Sequence, residues 1–267
     1  MDYRAWDQDS VFPAFSDPFF PAHLARYDFA VGFLKRKTVL DLGCGKGYGS
    51  FILAGEASSV TAIDLNPDSI AFAKKNYGAG NLQFQLIDSE ILAAQKPASF
   101  DAVTSFEVLE HLAAPEARQF LMTISKLLKT DGALFISTPN HAVVLKSGMP
   151  VPEFHINNLT SKELKAVLQE HFRHVEMFGQ IQAGGWMQTA IYYLDVLSLR
   201  HSSLIKRLRR RTQSAGNHAE KQVESERKVW HPEAGLGPAK NFRFSKFLWR
   251  QAGMSFAICR GPHLKTN

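Results

Sequence analysis

Cysteine is scarce in this chain. Two occur among 267 residues, Cys44 and Cys259. At most one bridge can form, which excludes a disulfide-stapled secreted scaffold and fits a reducing, cytoplasmic setting. The opening residues, Met1-Asp2-Tyr3-Arg4-Ala5-Trp6-Asp7, hold no basic stretch followed by an apolar run, so they do not read as a signal peptide. Long hydrophobic runs are missing too. The longest uncharged stretch, Met177 to Leu194, is broken by Gln180, Gln182, Gly184, Gly185 and Gln188, too polar for a membrane span. No internal repeat is visible. Apolar residues make up 45% and charged residues 21%; these values are close to those of ordinary globular domains, so a sizeable core is expected.

Against that background stands Val39-Leu40-Asp41-Leu42-Gly43-Cys44-Gly45-Lys46-Gly47-Tyr48-Gly49. A short apolar run, Thr38 to Leu42, reads as a buried strand. Four glycines follow at alternate positions, and Ser50-Phe51-Ile52-Leu53-Ala54 resumes a helical pattern. Strand, glycine loop and helix form the nucleotide-binding opening of an open α/β sheet. The dinucleotide fingerprint is excluded, because its third glycine would fall at Tyr48. A phosphate loop is excluded because no lysine followed by Ser or Thr closes the turn.

The remaining pattern, Asp41-x-Gly43-x-Gly45-x-Gly47, resembles motif I of the class I S-adenosylmethionine-dependent methyltransferases. The resemblance implies S-adenosylmethionine as cofactor, with Asp41 near its ammonium and Gly43, Cys44, Gly45 and Gly47 against it. A second strand, Val60 to Ile63, ends in Asp64-Leu65-Asn66-Pro67. A carboxylate at that strand end sits where a ribose diol lies and can accept from both hydroxyls, so Asp64 and Leu65 join the cofactor set. Asn66 is a good N-cap and Pro67 suits the first helical turn. A third strand, Leu82 to Ile87, leads to Asp88, which in this family meets the adenine amine; as a residue type Asp88 also suits a turn. Phe106, ending the fourth strand Phe100 to Phe106, completes the set.

Further strands are expected at Ala133–Ser137, after an Asp131-Gly132 turn, at Val175–Phe178, and at Met254–Arg260. Helices are expected at His23–Leu34 and Pro115–Leu128, and from Ser161 to Phe172 after the capping box Thr160-Ser161-Lys162-Glu163. Strands and helices alternate, so the class is α/β, a doubly wound sheet. The resemblance implies seven mostly parallel strands, the last antiparallel between the fifth and sixth. The chain then divides into an aromatic-rich N-terminal cap at 1–36, a methyltransferase domain at 37–182 and 241–261, and an insertion at 183–240.

Ligands of open α/β sheets bind at the carboxyl ends of the strands. There the fourth strand runs into Phe106-Glu107-Val108-Leu109-Glu110-His111, and the fifth into a loop containing Glu153-Phe154-His155. In a helical turn, Glu107, Glu110 and His111 share one side. An oxygen acceptor needs a base or a metal at neutral pH. Three readings stay open: His111 or His155 takes the acceptor's proton, with Glu107 beside them; Glu107, Glu110, His111 and His155 hold a divalent ion; or Glu110 and His111 merely cap the following helix. Glu-x-x-Glu-His resembles the ubiquinone-biosynthesis O-methyltransferases and the small-RNA ribose 2′-O-methyltransferases, where two Glu and two His bind metal. Arg26-Tyr27-x-Phe29-Ala30, Ser137-Thr138-Pro139-Asn140 and Phe154-His155…Leu159-Thr160 are most similar to bacterial methyltransferases of cell-surface glycans and glycolipids.

The expected reaction is O-methylation of a small-molecule, glycan or lipid-linked acceptor. The alternatives are a metal-dependent RNA ribose 2′-O-methyltransferase and a cofactor-binding protein without turnover. The net charge of +6 bears on partners: Arg200 to Trp230 holds nine Lys/Arg against three acids, the whole excess. Residues 200–211 alternate Leu204, Ile205 and Leu208 with basic residues, a pattern that can lie on an anionic membrane face, clamp the phosphate of a nucleotide- or lipid-linked acceptor, bind RNA, or simply be a solvated helix face beside a substrate lid. No aromatic-studded basic surface accompanies it, which argues against nucleic acid. The absence of an Asn/Asp-Pro-Pro-Tyr/Phe motif argues against amide or base-amine methylation.

Overall fold

A computed structural model describes residues 11–14, 17, 19–86, 92, 96–147, 151–182, 229–248, 250 and 252–263. Asp88 and most of the insertion, 183–228 with its basic run, lie outside the described residues.

The strands are β1 (Thr38–Leu42), β2 (Ser59–Asp64), β3 (Leu82–Leu86), β4 (Phe100–Phe106), β5 (Leu128–Pro139), β6 (Phe172–Gln182), β7 (Phe242–Ser245) and β8 (Met254–Pro262). They form one sheet in the order β3-β2-β1-β4-β5-β8-β6-β7. The sheet has eight strands rather than the expected seven. The extra one, β7, pairs antiparallel with the outer edge of β6, Gly179 opposite Ser245. Four residues long, with only half-buried or exposed positions, it carries little strand signal of its own. β8 lies antiparallel between β5 and β6, as the resemblance implies.

Two helical layers cover the sheet. α1 (Phe20–Val31), α2 (Tyr48–Ala54) and α3 (Pro67–Asn76) pack on one face, burying Phe20, Leu24, Tyr27, Leu53 and Ile70. On the other face α4 (Ala114–Leu127) and α6 (Ser161–Gln169) bury Leu121, Ile124, Leu164 and Leu168. A short α5 (His141–Ser147) follows β5. Burial on both faces explains why the central strands read as continuous apolar runs. α1 begins three residues before the periodicity suggests, because Phe20 is fully buried and extends the apolar stripe N-terminally.

Local signals hold where they are chemically specific. Asn66 Oδ1 accepts from the backbone N–H groups of Asp68 and Ser69, capping α3. Thr160 Oγ1 accepts from the Glu163 N–H while Glu163 Oε2 accepts from the Thr160 N–H, completing the capping box of α6. Asp131 and Gly132, which read as a turn, lie inside β5, where its pairing with β4 shifts register between Phe100 and Ala102. β6 runs for 11 residues, far beyond Val175–Phe178, because β8 on one side and β7 on the other supply hydrogen-bond partners.

Candidate active site

The carboxyl ends of β1, β2, β4 and β5 open into one cleft of about 620 Å³. Its first wall is the loop after β1. Gly43, Gly45 and Gly47 all take positive φ, at 75°, 50° and 83°, a backbone that side-chain-bearing residues rarely adopt. A Cβ at Gly45 would meet nothing within 4 Å, since the loop presents bare backbone to the cleft there. Gly49 serves packing instead. A Cβ on it would fall 2.1 Å from the Tyr27 ring, so α2 sits tightly against α1 only with glycine at this position.

Asp64 and Asp41 play different parts. Asp64 lines the cleft, where its Oδ2 accepts from the Gly45 N–H at 2.8 Å and its Oδ1 from the Asn66 N–H at 2.9 Å. It thus ties the glycine loop to the end of β2 and keeps lone pairs for a ligand. Burial pushes its pKa up, against the pull of those backbone donors. Asp41 is fully buried and does not line the cleft. Its two oxygens accept from Ser50 (2.6 Å), Thr104 (2.6 Å) and Tyr27 (3.5 Å). Burial raises its pKa to about 6, the hydroxyl donors offsetting part of that cost. Any influence of Asp41 on a ligand passes through the helices it pins. Cys44, Leu65 and Phe106 line the cleft, with Phe106 packed edge-on against Tyr27 at 4.9 Å.

The second wall begins at Glu107, a non-glycine residue with φ of 57°. The left-handed kink interrupts the helical path before the following turn. That turn, Leu109–His111, starts two residues later than the spacing argument assumes, so Glu107 does not share a helical face with Glu110 and His111. Its Oε1 accepts from Ser137 Oγ at 2.7 Å and lies 3.1 Å from Arg26 Nη1. Glu110 is buried; its Oε2 accepts from Thr138 Oγ1 at 3.1 Å. Burial, with Glu107 nearby, raises its pKa well above the carboxylate range.

The loop after β5 is fastened over this turn by Asn157. Its backbone N–H donates to the Glu110 carbonyl at 3.0 Å and its Nδ2 to the Leu109 carbonyl at 3.1 Å. This brings His155 edge-on to His111, ring centroids 5.0 Å apart. Glu110, His111 and His155 offer three ligand atoms within 4.8 Å of one another. Such a set can hold a cation or share a proton.

The family of methyltransferase domains matches residues 34–196. The chain belongs to the class I S-adenosylmethionine-dependent methyltransferases. Among curated relatives, this methyltransferase is 31% identical over 199 residues to the ubiquinone biosynthesis O-methyltransferase of Xanthomonas campestris, covering 73% of this chain and 78% of that protein. It is 36% identical over 142 residues to the enzyme of the same name from Nitrosomonas europaea, covering 52% of this chain and 59% of the relative, less than two thirds of the relative's length. Among solved structures, a chain from the complex of the Haloferax volcanii Trm112 methyltransferase activator with a methyltransferase superposes with a TM-score of 0.56 at 13% identity, covering 98% of both chains. At that identity the likeness is one of fold.

The cleft positions of two residues of this methyltransferase escape a sequence reading, although Arg26 stands in the Arg26-Tyr27-x-Phe29-Ala30 pattern. Arg26 is buried in α1, its Nε without a hydrogen-bond partner among the described residues. It has no acid three or four residues away in the sequence, so its partner had to be tertiary, and that was the available signal. His23, one turn earlier, reaches the same cleft and carries no sequence mark at all.

Proposed function

We propose that this methyltransferase transfers a methyl group from S-adenosylmethionine to an oxygen of a small-molecule, glycan or lipid-linked acceptor. The observation that carries the reading is the shared cleft. The open glycine loop and Asp64 line it together with Glu110, His111 and His155. The sulfonium of S-adenosylmethionine supplies an activated methyl group. The bare backbone at Gly45 leaves room for the cofactor, while Gly43 and Gly47 pack against Val108 and against Ala73 and Phe84, and Asp64 accepts from the cofactor's ribose. What remains for the chain is alignment, exclusion of water and handling of the acceptor's proton. The relatives' names support oxygen as the methylated atom.

His111 and His155 then act in one of two ways. Either one accepts the acceptor's proton, or together with Glu110 they hold a divalent ion that acidifies the hydroxyl. Glu107, bound to Arg26 and Ser137, belongs in this reading to the framework that sets their position. Transfer that survives a chelator would remove the ion and leave the base. The insertion at 183–240 and residues 1–36 serve here as lid and cap, and 200–211 as contact to an anionic membrane from the cytoplasmic side. Among the described residues, no helix is long and apolar enough to cross a membrane.

The test has two steps. Calorimetry should register S-adenosylmethionine and its demethylated product; no binding of either at millimolar concentration by folded protein would end the reading. Mass spectrometry of lipid and glycan extracts incubated with protein and labelled donor should then reveal the acceptor. Label appearing only in RNA 3′ ends would replace it with the RNA enzyme, and donor binding without any transfer with the non-catalytic reading.

A further inference from the structure

We propose that His23 receives the hydrogen bond of the acceptor's hydroxyl and so orients that oxygen toward the methyl donor; this deepens the O-methylation reading and rests on it. His23 and Arg26 stand one turn apart on α1 and both line the cleft. The preceding residue fixes where this end of the helix lies. The Ala22 carbonyl accepts from Gln180 Nε2 at 2.8 Å, which holds α1 against β6. Gln180 is opposite Met254 in β8, and Met254 is opposite Pro139 in β5. Met254 and Pro139 line the cleft as well. His23 therefore reaches the cleft beside the wall formed by Met254 and Pro139.

The chemistry of the ring suits the role. Its nitrogens have no hydrogen-bond partner among the described residues, in contrast to the hydroxyls around Asp41. Its charged neighbour on α1 is Arg26, and Glu107 from the end of β4 is engaged with that same guanidinium. His23 is half-buried in the cleft wall; the protein packed around its ring, reinforced by Arg26, holds the imidazole pKa well below its ordinary value. A neutral imidazole offers one lone pair to an O–H donor and does not repel a cationic cofactor, whereas an imidazolium would do neither. The ligand atoms of His111 and His155 instead converge on Glu110. The two histidine locations thus divide the work: one group holds an ion or takes a proton, and His23 sets the oxygen's direction.

The experiment uses His23→Leu and His23→Gln in the labelled-donor assay on lipid and glycan extract. His23→Leu should lower transfer about tenfold, the loss expected for one hydrogen bond, with donor affinity by calorimetry unchanged. His23→Gln, whose amide oxygen accepts, should keep transfer within about threefold of wild type. Imidazole nitrogen resonances of the protein saturated with S-adenosylhomocysteine give a readout without turnover. The His23 ring should be unprotonated at about pH 6.5, the midpoint of an ordinary histidine. Wild-type transfer by His23→Leu, a loss matched by lost donor affinity, or a protonated ring at that pH overturns the role and leaves the methyltransferase reading standing. Wild-type protein that binds donor and labels no oxygen overturns both.

Discussion

The two ends of the cleft are built by different means. At the glycine loop the ligand-facing groups are mostly backbone, held by a few short bonds between neighbouring elements: Asp64 to Gly45, Asn66 to the start of α3. At the other end they are side chains delivered from α1, the turn after β4, β5 and the loop after β5, and their meeting depends on long-range ties such as Arg26 to Glu107 and Asn157 to Leu109. The first arrangement suits a cofactor of constant shape. The second places chemistry on elements that can vary without disturbing the sheet.

If that division is right, variants at the two ends should fail in opposite ways. The largest effect is expected at the acceptor end. His111→Ala and His155→Ala should keep donor affinity within a few-fold, while at least one loses transfer by ~10²–10⁴-fold, the usual cost of a positioned base. Single-turnover rates with saturating donor would show this, and wild-type rates in both would reduce these histidines to loop residues. Asp64→Ala should do the reverse. Losing charge-assisted bonds should weaken donor binding by about 10- to 100-fold, measured by calorimetry, with the rate at saturation much less affected.

Smaller effects test the frame on which both ends rest. Gly49→Ala forces a Cβ into the Tyr27 ring. An overpacking cost of about 1–3 kcal/mol is expected, seen as a lowered melting temperature without a change in denaturant m-value. A last effect concerns pH. Asp41 has a folded-state pKa of about 6 against an ordinary 3.8, so the folded state binds the proton more tightly than the unfolded. This group's contribution is therefore most favourable below the ordinary value and declines as pH rises through about 6. Asp41→Asn should flatten that part of the stability–pH curve; an unchanged slope would mean that Asp41 ionises normally in the fold.

The same division governs how much the sequence discloses. The glycine loop, Asp64 and the caps at Asn66 and Thr160 are legible because their partners lie close along the chain and their residue types have one efficient use. Glu110, His111 and His155 are legible as a suspicious grouping, but Asn157, which brings the loop onto the turn, is not. The kink at Glu107 contradicts the helical spacing because a positive φ at a non-glycine residue leaves no local pattern. Arg26 and His23 look like ordinary helix residues until α1 is docked. β7 and the full length of β6 become strands only through the neighbours that complete their hydrogen bonds.

The place of β8 bears on how this protein comes into being on the ribosome. β8 stands between β5 and β6 in the sheet and lies some 70 residues beyond β6 along the chain. The half-sheet from β3 to β5, with the glycine loop and Asp64, has all its pairings available well before that. Asn140, at the end of β5, waits for the Ala252 and Gly253 carbonyls that enter with β8, and Met254 enters the cleft wall with them. A nascent chain can thus assemble the wall that faces the donor while the wall shared with the acceptor stands open. Closing that wall must wait for a long-range strand insertion, the slow kind of step in sheet assembly.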